Sequence, residues 1–128
     1  MYNSLALFQT ATAMARHAGA RQAVVARNIA NADTPGYEAQ KIAPFQDVYS
    51  ASGSSSMRAT RPGHLPGVAG GGTPAVTASS QAEPSPNGNT VSLEEELLNS
   101  VAVSREHSRA LAIYRHGMTV LRTTLGRS

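Results

Sequence analysis

Between Leu93 and Leu125, ten positions fall at unbroken 4-3-4-3 spacing: Leu93, Leu97, Ser100, Ser104, His107, Leu111, Tyr114, Met118, Leu121 and Leu125. Such spacing is the repeat of a helical seam, and it commits the last third of the chain to one long helix. Ser92 followed by Glu95 supplies a capping box at its start. Glu94, Glu95 and Glu96 set negative charge on the positive end of the helix dipole, with Arg122 and Arg127 near the negative end. Gly126 is placed to stop it. Leu98, Val101, Ala112 and Val120 widen the apolar stripe into two faces.

A second helix is expected over 4–31, where proline is absent, Gly19 is the lone glycine and nine positions are alanine, the best helix former. Its stripe runs through Phe8, Ala11, Ala15, Ala18, Gln22, Val25 and Ile29, again at 3–4 spacing. This seam is thin, and its small side chains allow close approach of a partner backbone. The two helices are therefore expected to need neighbours, so that a lone chain frays at its ends and gains full order on assembly.

The material between them is poor in core-forming residues. Residues 51–90 hold seven of the eleven glycines and five of the seven prolines, and read as a flexible excursion. Short strand pieces are expected at Tyr37–Ile42 and Ala75–Ala78. The organisation predicted is all-α: residues 1–36 form the N-terminal helix and turn, 37–91 an extended, flexible middle and 92–128 the C-terminal helix, with the long helices as a coiled-coil-like core.

Aromatic residues are only 5% of the chain, so a large core enclosing a substrate pocket is not expected. The net charge is +3, yet the eleven Lys and Arg are scattered, with no two adjacent. A nucleic-acid surface would cluster them. There is no cysteine, so thiolate chemistry is absent. His17, His64, His107 and His116 lack metal-ligand spacing. Ser104, Glu106 and His107 carry the letters of a triad, but successive helical residues point in different directions. His107 reads instead as a packed polar residue of the seam. No catalytic, cofactor or metal site is expected. Residues 1–15 lack the basic start and apolar core of a secretory signal, and no segment is long and apolar enough for stable membrane insertion.

Residues 28–37 read Asn-Ile-Ala-Asn-Ala-Asp-Thr-Pro-Gly-Tyr. Asn31 and Asp33 are helix terminators, Thr34 is pushed out of helical geometry by the following proline, and Pro35-Gly36 is the central pair of a type II turn. Tyr37 is free to pack beside the helix end. On residue types alone this is a helix C-terminus and a turn.

The same stretch, through Asn28, Ile29, Ala30, Asn31, Asp33, Thr34, Pro35, Gly36 and Tyr37, resembles the N-terminal signature of bacterial flagellar axial proteins, the rod and hook family. Asn87–Glu96 resembles the segment opening the C-terminal helix in the family's short proximal-rod members, and Met57–Leu65 is similar to their middle segment. The resemblance implies a structural subunit of the proximal rod, part of the torque-transmitting shaft, whose terminal helices pair inside the tube. Assembly residues would be Phe8, Ala15, Val25, Ile29, Leu93, Leu97, Leu111, Tyr114, Met118, Leu121 and Leu125. It further implies partners in other copies of the chain, other rod proteins, the rod-base adaptor and MS ring, and the flagellar type III export apparatus. The location would be the basal body across the periplasm, reached without a cleaved signal. Phe45 and Tyr49 loosely match an export-gate element, and read by preference as a simple strand or packing pair. A short sister rod protein and a small basic DNA-binding protein are the rival readings. An enzyme acting on cell wall is a third, with no residue constellation behind it.

Overall fold

The computed structural model describes residues 2–52, 75–78 and 83–126. Two helices dominate: α1, Tyr2–Ala30, and a second, Leu93–Thr124, which becomes α3 once a short helix α2, Phe45–Ser52, is counted between them. Strands β1, Gln40–Ile42, and β2, Val76–Ala78, pair antiparallel with Gln40 opposite Ala78 and Ile42 opposite Val76. The expected all-α pair of long helices is observed, with this small ribbon beside it. No helix among the described residues is long and apolar enough to cross a membrane.

α1 and α3 run antiparallel. Asn28 meets Glu96 at one end, Arg21 meets Glu106 midway, and Phe8 packs its ring edge-on to Tyr114 at the other, centroids 5.2 Å apart. At ~1.5 Å per residue the pair is on the order of 45 Å long. Its ends follow the local rules. Ser92 Oγ accepts from Glu95 N–H, and Gly126 takes φ +67° just beyond α3.

The core is small-residue packing. α1 buries Ala11, Ala18, Val24 and Val25, and α3 buries Glu96, Val103, Ala110 and Gly117. On α1 the buried line keeps Ala11, Ala18 and Val25 of the expected stripe, adds His17, Val24 and Asn28 beside it, and leaves Gln22 exposed. On α3 it departs from the expected stripe. The buried positions recur every seven residues one place before Leu97, Ser104, Leu111 and Met118, so the inward face is turned by about 100° from the predicted seam. The reason is steric. Gly117 lies under the Phe8 ring, where an added Cβ would sit 3.0 Å from Cζ, and fully buried Ala110 likewise lets the helices close. Large side chains on this line would hold the backbones apart.

Three further expectations change. Phe45–Ser52 is helical rather than extended, so 37–91 is not uniformly a flexible middle. Residues 83–90, expected within the flexible excursion, are folded against the end of α1, as described below. His107 and Ser104 are exposed rather than packed in a seam; of the three first-turn glutamates, Glu96 is buried. The Met57–Leu65 island and most of the expected excursion lie outside the described residues.

Candidate functional site

α1 ends in a polar region where backbone carbonyls run out of helical partners. Asn89, from a distant part of the chain, meets that need, while Asn28 within α1 ties the helix to β1 and α3. Asn28, fully buried, uses its whole side-chain amide. Its Nδ2 donates to Gln40 O at 2.7 Å and to Glu96 Oε1 at 3.1 Å, while Oδ1 accepts from Gln40 N–H at 3.0 Å and Tyr37 Oη at 3.3 Å. The exchange of both bonds with Gln40 imitates a strand neighbour, and β1 begins at that residue.

Asn89, 2% exposed, closes the helix from outside. Its Nδ2 points at three carbonyls, Asn31 at 2.9 Å, Ala32 at 2.8 Å and Thr34 at 2.8 Å, and its Oδ1 accepts from Val91 N–H at 2.7 Å. Two hydrogens thus serve three acceptors at the negative pole of the α1 dipole. Around it, residues 36–39 and 87–90 lie side by side. Gly36 N–H donates to Asn87 O, Thr90 N–H to Tyr37 O, and Ala39 N–H to Thr90 Oγ1.

Two tight turns make this approach possible. Tyr37 N–H donates to Thr34 O across Pro35-Gly36, and Gly36 has φ +70°, as the third residue of a type II turn requires. Gly88 has φ +80°, and a Cβ there would stand 3.4 Å from Gly36 Cα. The two glycines face each other, so each turn leaves room for the other.

Glu96 carries the charge of the site. One oxygen accepts from Asn28, and the other is buried without a hydrogen-bond partner. Burial pushes its carboxyl above the ordinary glutamate range, against the opposing pull of the Asn28 bond; Glu95 adds to the rise and Lys41 opposes it. The adjoining cavity is about 30 Å³, room for a water and not for a metabolite. The arrangement holds backbone in place; it offers no nucleophile or exposed base to a substrate.

Midway along the pair, His17 is buried with the Phe45 ring edge-on at 5.5 Å, and Tyr49 stacks tilted on Phe45 at 5.6 Å. Phe45 and Tyr49 are thus a packing pair, which docks α2 on α1. Desolvation and the nearby Arg21 guanidinium lower the His17 pKa; Glu106 and the Ala43 backbone oppose this, although neither ring nitrogen reaches hydrogen-bond geometry.

The remaining residues singled out in the sequence separate by place. Val25 is buried and Phe8, Ala15 and Ile29 half-buried; the network that Asn28, Asn89 and Glu96 build at the end of α1 forms a latch between the helices. Leu111, Met118 and Leu121 are half-buried, whereas Leu93, Leu97, Tyr114 and Leu125 are exposed on the lone chain. Within the motif, Asn28, Asn31, Thr34, Gly36 and Tyr37 join the latch network, while Pro35 and Asp33 are exposed. Sequence reasoning missed Asn89 and Glu96 as partners of Asn28 and its helix end. The available signal was a second glycine turn, Asn87-Gly88, placed shortly before a capped helix.

The helix and turn that carry Asn28 and Gly36 match a known family. A family model described as flagella basal body rod protein covers residues 7–37. The flagellar basal body rod protein FlgB of Agrobacterium fabrum (strain C58 / ATCC 33970) is 34% identical over 109 residues, which span 79% of this chain and 78% of that protein. That alignment is long enough to reach into both long helices, beyond the first motif.

Proposed function

The chain belongs to the FlgB family of flagellar basal-body rod proteins, and we propose from that premise that its helix pair is a prefabricated building block of the shaft. Its role is structural: a subunit of the proximal rod, located in the flagellar basal body and assembling with other rod components. The DNA-binding reading is not favoured.

The observation that carries the mechanism is the contrast between what is buried and what is not. Inside the chain, small residues and two asparagines fix an antiparallel pair of helices. Outside it, Leu93, Leu97, Leu98, Val101, Val120 and Leu125 are exposed at 45% or more. A helix pair with large apolar residues left uncovered is suited to burying them against neighbours. In this reading copies of the chain, other rod proteins and the rod-base adaptor and MS ring cover those faces, and torque passes through packed helices. The subunit reaches the rod through the flagellar type III apparatus. Phe45 and Tyr49 would act as an export element only before folding, because in the folded chain Phe45 is committed to His17.

The test is complementation of a strain lacking this gene. The unmodified chain restores swimming and complete basal bodies; Leu121→Asp, which places an unpaired charge on a half-buried packing position, abolishes both. Normal rods with Leu121→Asp overturn the packing mechanism.

A further inference from the structure

The helix pair is chemically two-ended. All eight carboxylates fall between residues 33 and 106. Residues 2–32 have none, and neither has 107–126, where Arg109, Arg115 and Arg122 are exposed. Because α1 and α3 are antiparallel, both acid-free stretches meet at the open end, beside Phe8 and Tyr114. At the latch end, exposed Asp33, Glu38, Glu83, Glu94 and Glu95 outnumber exposed Arg27 and Lys41. On the two long helices apolar exposure follows the same division, while exposed Tyr49 lies on α2 and exposed Val76 on β2. Leu93, Leu97, Leu98 and Val101 stand at the latch end, and Leu5, Leu7, Tyr114, Val120 and Leu125 at the open end. Between them, residues 102–113 of α3 expose no large apolar side chain.

We propose that copies of this chain associate head to tail, the acidic, leucine-bearing latch end of one overlapping the basic, leucine-bearing open end of the next. The proposal rests on the rod reading and names the contact that reading leaves unspecified. Charge complementarity selects the partner. Latch against latch sets carboxylates together, and open against open sets arginines together, so symmetric dimers are disfavoured while the heterologous pairing is attractive. The polar waist of α3 gives side-by-side packing in register through that helix little to bury. A heterologous contact does not use itself up: each copy retains one free end of each kind, which yields open strands unless the rotation closes a ring.

The test uses the purified full chain in two forms, Glu94→Lys with Glu95→Lys, and Arg115→Glu with Arg122→Glu, checked for unchanged helix content by circular dichroism. Sedimentation velocity at low salt and increasing concentration is the readout. The unmodified chain grows in mass beyond a dimer. Each variant alone, with both ends of one sign, associates at least about tenfold more weakly. An equimolar mixture of the two regains association, because each basic latch meets an acidic open end and each native pairing persists. Equal association of either variant alone, or an unmodified chain that stays monomeric throughout, overturns the proposal.

A second measurement does not depend on the charge variants folding. The chain has no cysteine, so Leu98→Cys and Val120→Cys each introduce one thiol. Mild oxidation of the mixture gives heterodimers in preference to either homodimer; equal or greater homodimer yields overturn head-to-tail order. Complementation by the unmodified gene separates the two levels: restored swimming with no such contact removes this proposal alone, and failure to swim removes the rod reading beneath it.

Discussion

The two ends of this molecule are ordered by different physics. At the latch end, Asn89 satisfies the carbonyls that follow α1, buried Asn28 pairs with Gln40, Tyr37 and Glu96, and a pair of facing glycines lets two turns come together. At the open end the helices touch through Phe8, Tyr114 and Gly117, and Leu5, Val120 and Leu125 remain uncovered. The first kind of order is directional and complete within one chain. The second is non-directional and unfinished. A shaft subunit gains from both: the latch fixes which residues stand opposite each other, and the open end keeps apolar area for its neighbours.

Breaking the latch has the largest effect on the lone chain. Asn89→Ala removes the donor from three carbonyls and the acceptor of Val91 N–H, and costs about 3 kcal/mol at the ~1–3 kcal/mol typical of a stranded buried group. Urea unfolding followed by circular dichroism measures it; a loss under about 0.5 kcal/mol contradicts the latch. Next comes Gly117→Leu, which drives a side chain into Phe8 and separates the helices at the open end. Overpacking of this kind costs about 1–3 kcal/mol, and the same titration reads it.

Proton linkage sharpens the comparison further. The His17 pKa is lowered on folding, so its contribution is present above pH 6.5 and is lost as pH falls from there through the folded value. His17→Gln flattens that acid-side slope in the unfolding midpoint. Glu96 has the opposite sign. Its pKa is raised, so its contribution is present below pH 4.5 and is lost as pH rises through the folded value. Glu96→Gln, which keeps the acceptor for Asn28, therefore gains stability relative to the unmodified chain at pH 7 and not at pH 4. An equal shift at both pH values contradicts a strained Glu96 carboxylate. The smallest stability effect belongs to Leu125→Ser at the open end, under about 0.5 kcal/mol for an exposed site. Its consequence appears in assembly, as reduced swimming by a strain carrying it.

How much of this was legible in the sequence divides along the same line. Local rules carried the helices, the Ser92 cap, the turn at Pro35-Gly36 and the stop at Gly126, because each depends on neighbours within four residues. The α1 seam was legible through its alanines. The α3 face was misread by one residue, since its leucines advertise area while the chain packs through Val103, Ala110 and Gly117. Periodicity marks both faces alike, and only the partner helix decides which turns inward. Asn28 and Asn89 carry no periodic signal; the partners of Asn89 are backbone atoms, and those of Asn28 are the Gln40 backbone and the side chains of Tyr37 and Glu96. α2 escaped notice because eight residues give a helix pattern too little length to declare itself.

Amide hydrogen exchange on the dilute chain tests the two-ended account most directly. It predicts strong protection at Gly36, Gln40 and Thr90, whose N–H groups donate within the latch, with protection falling along both helices to rapid exchange at residues 5–10 and 115–124. Uniform protection from one end to the other, or an open end slower to exchange than the latch, would contradict it.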